Sequence, residues 1–101
     1  MDKARVLITN LLAIDKDIIL LTQEDFVIDS EGNRIDLSEG IEIGVFQENF
    51  NEDGIQDNLV ADGIVISRPE GCTETRAKWF LHLKHAFRVY SRYKRLVLNN
   101  E

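Results

Sequence analysis

Seven side chains in the last third of this chain have the types and spacing for ligand contact: Lys78, Lys84, Arg88, Tyr90, Arg92, Tyr93 and Lys94. Lysine and arginine neutralise phosphates or carboxylates, and interleaved aromatic rings stack on unpaired bases. Tyr90 lies between Arg88 and Arg92, and Tyr93 lies beside Lys94. The set fits two ligand classes, a nucleic acid or an acidic protein surface. Total charge bears on the choice. A dedicated nucleic-acid binder usually has a basic domain, whereas this chain has a pI near 4.9.

The charge is also sorted along the chain. Residues 1–70 hold 16 acidic and 5 basic side chains, residues 71–101 hold 2 acidic and 7 basic, and the net charge is −6. Sorted charge steers partners and favours head-to-tail or self-complementary contacts. It also works against phosphate binding, because the acidic half repels phosphate within a Debye length of about 8 Å at physiological salt. A further outcome is internal: the basic face is solvated, or it pairs with the acidic half of the same domain.

The loop Asn49-Phe50-Asn51-Glu52-Asp53-Gly54-Ile55-Gln56-Asp57 places oxygen-bearing side chains at positions 49, 51, 53 and 57, with a glycine after the third. Loops of the EF-hand kind use this arrangement to converge oxygens on calcium. The loop also loosely resembles the acidic repeats of thrombospondin-type calcium sites. It departs from the pattern at Asn49 and Asn51, which lack the charge of aspartate, and at Val60, which stands where a bidentate glutamate would close the site. A weak calcium-binding loop is therefore an alternative expectation. The competing one is a solvated hairpin loop turned by Asp53-Gly54.

Asp36-Leu37-Ser38-Glu39-Gly40 resembles the Asp-x-Ser-x-x-Gly signature of the PilZ barrels, which bind cyclic dinucleotides. It is one residue short before the glycine, and the paired upstream arginines of that family are absent. A strand end followed by a glycine turn accounts for it. Cys72, His82 and His85 show no nucleophile–base spacing and too few ligands for zinc. Asp15, Asp17, Asp25, Asp29 and Asp36 fall at turn-like positions where solvated aspartate is commonplace. The expectation is no catalytic residue, no metal, no cofactor and no enzyme activity.

At 101 residues the chain is expected to be one domain, 1–101, burying roughly 60–70% of the surface its unfolded form exposes. One cysteine fits a reducing compartment. The N-terminus lacks the pattern of a signal peptide, and the longest apolar run, Ile18-Ile19-Leu20-Leu21, falls far short of a membrane span of about 18 residues. A cytoplasmic, soluble protein without a membrane or small-molecule ligand follows.

These groups must be positioned by short elements. Apolar segments at Arg5–Leu12, Asp17–Thr22, Phe26–Ile28, Arg34–Leu37, Ile41–Gln47 and Leu59–Ser67 are separated by turn signals, with Gly63 marking a bulge. Ser30-Glu31-Gly32-Asn33 is a tight hairpin turn. Residues 73–98 fit two templates. They form either one long helix capped by Thr73, or strands in which Arg76–Lys84 pairs with Leu59–Ser67 and a second strand follows. The aromatic and β-branched content favours strands, although Lys84-His85-Ala86 is poor turn chemistry. The helix would place Lys84, Arg88 and Arg92 on one arc. The hairpin would project Lys78, Lys84, Arg88, Arg92 and Lys94 from one face.

The expected fold is all-β, a small single-domain barrel or roll of about six strands, SH3-like or OB-like. The alternative is α+β, a β-half (1–67) with a long C-terminal helix (73–97). The expected core is Val6, Ile8, Ile19, Leu21, Val27, Ile41, Ile43, Val45, Val60, Ile64, Ile66, Trp79, Leu81, Leu83 and Val89. The expected function is a non-enzymatic interaction module whose basic C-terminal face meets an acidic protein surface or its own symmetry mate. An RNA- or DNA-binding barrel using the same residues is the alternative.

Overall fold

The computed structural model describes residues 2–72 and 76–99. Strands dominate, with one short helix at the C-terminal end. They are β1 (Val6–Leu7), β2 (Ala13–Asp15), β3 (Ile18–Thr22), β4 (Phe26–Ile28), β5 (Arg34–Asp36), β6 (Glu42–Gln47), β7 (Leu59–Ser67), β8 (Trp79–Leu83) and β9 (Arg88–Val89), followed by helix α1 (Tyr90–Asn99). The main sheet has seven strands in the order β1-β6-β7-β8-β3-β2, with β9 also on β7, and β4-β5 form a separate hairpin.

Alternation sets the inner face. Ile43 and Val45 on β6, Ala61 and Val65 on β7, and Leu81 on β8 point to one side, where they join Val6, Ile8, Ile19 and Val27 in the core. Such period-2 patterns survive in the structure because one register slip would turn every one of them outward. Gly32 and Gly40 take φ of 84° and 95° at the turns before β5 and β6, a region where L side chains are strained. Asp29 fixes the first turn, its Oδ1 accepting the Glu31 and Asn33 N–H groups.

The sheet curls for a simple reason of length. Laid flat, the five strand spacings from β1 to β2 would span about 24 Å. The chain from Leu7 to Ala13 reaches only about 20 Å when fully extended. Residues 8–12 therefore draw the two edges toward each other. Closure stays incomplete, which corrects the expected barrel: among the described residues the sheet path ends at β1 and β2. β2 is too short to cover β3, pairing only with Ile18 and Ile19.

The C-terminal segment matches neither template over its whole length. β8 pairs with β7 as the hairpin reading requires, Ser67 standing opposite Trp79 and Gly63 opposite Leu83. The chain then detours through residues 84–87 and returns to the same edge of β7, where Val89 lies opposite Leu59. Lys84-His85-Ala86 is thus a break within one strand direction, which is why its poor turn chemistry is tolerated. A long helix over 73–97 is not formed, because residues 79–83 and 88–89 are strand and only Tyr90–Asn99 is helical. Thr73, its expected cap, lies outside the described residues.

Gly63 is not a bulge but a point of close approach, in regular register with Ile43 and Leu83. A Cβ there would stand 2.6 Å from Leu81 Cγ and 2.8 Å from the His82 carbonyl oxygen. Gly63→Ala is expected to lower stability by about 1–3 kcal/mol through overpacking. The readout is a lower urea midpoint at unchanged m-value. A wild-type midpoint would show that Leu81 and the β7–β8 ladder absorb the methyl freely.

Candidate functional site

The structure separates six of the seven basic-tail residues into two groups, with Tyr90 apart. Three turn back on the domain. Lys78 is ion-paired with Asp25, and Lys84 Nζ lies 3.0 Å from Glu42 Oε1. Tyr93 donates its hydroxyl to Asp62 Oδ2 at 2.7 Å. His82 also faces Asp17 at 3.1 Å. The acidic half thus receives part of the basic tail, the internal outcome that charge sorting allowed. Both lysine pairs are exposed at about half of each side chain, so each contributes little stability, typically under about 1 kcal/mol.

Arg88, Arg92 and Lys94 form the second group. They are exposed, and among the described residues none has an ion-pair partner. They do not share the single arc or face expected of them. Arg88 lies on β9, and successive helical residues rotate by about 100°. With Tyr93 turned inward, Arg92 and Lys94 flank it on opposite sides of the helix, and Arg95 is exposed. Tyr90 is half-buried, and its N–H donates to the Asn58 carbonyl at 2.7 Å.

Helix α1 carries no acidic residue in its first turn. Its cap comes from the β6–β7 loop. Asp57 Oδ1 accepts the Ser91 N–H at 3.0 Å, and Oδ2 accepts the Ser91 hydroxyl at 2.6 Å. These bonds, helped by the charge of Arg95, hold the Asp57 carboxyl below its ordinary range. A carboxylate here also faces the positive end of the helix dipole. Asn51 and Asn49 of the loop also do structural work. Asn51 Oδ1 accepts the Asp53 and Ile55 N–H groups, and Asn49 Nδ2 donates to the Asp57 carbonyl. Among the described residues no group of three or more His, Cys, Asp or Glu could hold a metal ion.

The other sequence motifs resolve into local structure. Glu39 of the PilZ-like segment accepts the Ser67 hydroxyl at 2.9 Å, and Gly40 turns the chain into β6. Cys72 is a half-buried free thiol, its backbone N–H donating to the Pro69 carbonyl and its carbonyl accepting from Arg68.

The strongest electrostatic feature is one that tail-centred reasoning passes over. Arg5 is completely buried on the outer face of the sheet. Its Nη1 donates to the Ala61 carbonyl at 2.9 Å and to Asp62 Oδ1 at 3.1 Å. Its Nε and Nη2 engage both Asp2 oxygens, each at 3.1 Å. The Tyr93 ring covers the guanidinium, 5.1 Å from centroid to Cζ. Gly44 leaves the room for this side chain, since a Cβ there would meet Arg5 Nη1 at 2.8 Å.

Asp62 is the counter-ion, 7% exposed, and receives Arg5, Lys3, Tyr93 and His85. Burial alone would raise its carboxyl. The hydrogen bonds from Tyr93, Lys3 and His85 and the Arg5 charge outweigh that and hold it well below the usual carboxylate range. Burial, with the bond to Asp62, raises the Tyr93 phenol in turn. His85 plays two parts. Its Nδ1 lies 2.9 Å from the Ala86 carbonyl, which can only accept, so Nδ1 carries the hydrogen. In the neutral ring Nε2 therefore accepts the Asp62 N–H at 3.3 Å, which lies in the gap between β8 and β9. In the imidazolium it donates to Asp62 Oδ2 instead, also at 3.3 Å. The available signal for this site was a charged residue inside the apolar run Leu59–Ser67, together with an arginine opening the first strand.

No known protein family, curated protein or solved structure matches the chain.

Two outcomes follow. Asp62→Asn is expected to cost about 3 kcal/mol or more near neutral pH, because it leaves the buried Arg5 charge short of its partner. A carboxyl lowered by folding stabilises above its unfolded value of 3.8 and loses that contribution as pH falls toward its folded value. The stability gap between wild type and Asp62→Asn should therefore narrow below about pH 4, as denaturant titrations at several pH values would show. A pH-independent gap would contradict the ion-pair account. Asp57→Ala should speed hydrogen exchange in Tyr90–Asn99 selectively, leaving β6 and β7 protected; uniform loss would show that the cap acts on the whole fold.

Proposed function

We propose that this chain is a non-enzymatic protein-interaction module that presents Arg88, Arg92 and Lys94 to an acidic protein surface. The acidic half of a second copy of the chain is one such surface. The observation that carries this reading is the division of the tail: Lys78 and Lys84 are ion-paired within the domain, while Arg88, Arg92 and Lys94 stand exposed without ion-pair partners among the described residues. Exposed, unpaired cations attract an oppositely charged partner without first breaking an internal contact. We read the fold as one domain, an open relative of the SH3-like or OB-like rolls, in a cytoplasmic setting consistent with one unpaired cysteine. Among the described residues no helix is long and apolar enough to cross a membrane.

Nucleic-acid binding is the weaker reading because stacking needs free rings. Tyr93 has its hydroxyl on Asp62 and its ring over Arg5, and Tyr90 is half-buried.

The test is amide NMR of the labelled chain at low salt, titrated separately with a glutamate-rich peptide and with a short single-stranded RNA, alongside sedimentation over a range of protein concentration. The expected result is that shifts at 88–95 appear with the acidic peptide or with rising protein concentration, and vanish in Arg88→Glu, Arg92→Glu. Shifts at 88–95 with RNA alone, with a log–log salt slope of about −0.7 per phosphate contacted, would transfer the function to nucleic acid. A double variant that binds and sediments as wild type does would remove this face from the function.

A further inference from the structure

We infer that the open seam of the sheet is a docking groove for an extended peptide of alternating apolar and cationic residues, supplied by a protein partner as an added strand. This surface is separate from the arginines of the tail, and the inference does not depend on them.

The seam has two walls. One is the stretch Leu7–Thr9, where β1 has β6 on one side and, among the described residues, no strand on the other. Ser30 closes that outer side only as far as the Arg5 carbonyl. The other wall is Leu20–Thr22. β2 meets β3 only at Ile18 and Ile19, Leu12 takes the Leu20 N–H, the Thr22 carbonyl accepts the Lys78 N–H, and among the described residues no strand lies on the outer edge beyond β2. These two stretches, with Asn10, Leu12 and Ala77, line a single cavity of about 280 Å³. A second cavity, of about 420 Å³, shares Leu7–Thr9 as lining and reaches Gln47 and Glu48.

Three properties select the occupant. First, the outer side of Leu7–Thr9, which faces no strand among the described residues, calls for main-chain donors and acceptors, which an extended segment supplies at a repeat no helix matches. Second, the rim is apolar and open: Leu7 is 42% exposed and Leu12 49%. Leucines so exposed beside a free edge are unusual unless something covers them, because natural sheets protect such edges with charge or proline. Alternate side chains of an added strand would lie on these leucines. Third, Glu48 is the one charged residue lining the two cavities, and among the described residues it has no ion-pair partner. A cationic side chain on the peptide satisfies it. An acidic peptide would meet Glu48 and the surrounding negative field together.

The test uses the full chain, isotope-labelled, with a nine-residue alternating lysine–valine peptide as the probe. Three controls accompany it: the same peptide with glutamate for lysine, the same peptide with proline for its central valines, and the variants Leu7→Lys and Leu12→Lys. Both variants change exposed side chains, and retained spectra elsewhere confirm the fold. The expected result is shifts at Leu7–Thr9 and Leu20–Thr22, slower amide exchange at Leu7 and Thr9, at least tenfold weaker binding by the proline and glutamate peptides, and at least tenfold weaker binding by each variant. Arg88→Glu, Arg92→Glu should bind the probe as wild type does. The inference is overturned if the proline peptide binds equally well, since charge alone would then explain the contact. Absence of shifts at the seam overturns it too. Protection of Leu7 and Thr22 amides without peptide, rising with protein concentration alongside a dimer in sedimentation, would replace the partner peptide with a second copy.

Discussion

A guanidinium buried without solvent has to be answered by carboxylate, and much of the outer face of this sheet is arranged to answer Arg5. Leaving such a charge unpaired costs several kcal/mol, more than a single apolar contact returns. Asp62 stands at the middle of the central strand β7 and supplies the counter-charge, while Asp2 meets the other side of the fork. The contact joins residues 57 apart in sequence. It places the chain's first strand beside β6, demands a glycine at position 44, and gives Tyr93 a ring-sized platform to cover. The helix therefore docks through a polar network as much as through apolar area.

That network also explains the shape of the tail. An uninterrupted β8 would run its ladder past Asp62 and leave no way for His85 to reach it. The detour at 84–87 instead keeps one ladder bond, from Lys84 N–H to the Asp62 carbonyl, and hands the Asp62 N–H to an imidazole. Phe87 meanwhile packs against the inner core, so the excursion does not leave an aromatic ring in water. The helix that follows is short and has no acidic residue of its own at its start. It relies on Asp57 from a loop 34 residues away. Helices of this length are marginal alone, and tertiary contacts make them persist.

The two surfaces with capacity to spare lie at different places in the fold. The arginines sit beside and on the helix, where the nearby buried acid, Asp62, is already occupied by Arg5, Lys3 and Tyr93. The seam lies where a short connector curls the sheet without closing it. Each follows from an incomplete internal solution: cations left over after internal pairing, and strand edges left over after incomplete closure.

The strands were legible because their information is local. Alternation at 41–47 marks the inner face of β6, Gly32 and Gly40 mark turns that need positive φ, and Val6, Ile8, Ile19, Val27, Ile43, Val45 and Leu81 are core as read, whereas on β7 the apolar run hides the face: Ala61 and Val65 point to the core, and the expected Ile64 and Ile66 lie half-buried on the other side. The first apolar segment was less transparent: of Arg5–Leu12 only Val6–Leu7 is strand, because residues 8–12 are spent crossing the roll. β2 left no alternation long enough to see. Charge sorting showed which residues lacked nearby partners in sequence, but not which would find them in space. Lys78 and Lys84 were paired, and Arg88 and Arg92 left free, by strand register. The same holds for Arg5 and Asp62, each of which reads locally as an ordinary charged residue at or within a strand. A side chain's face follows from its immediate neighbours, whereas the partner of a buried charge depends on which distant strand lies beside it. Only the assembled sheet decides that.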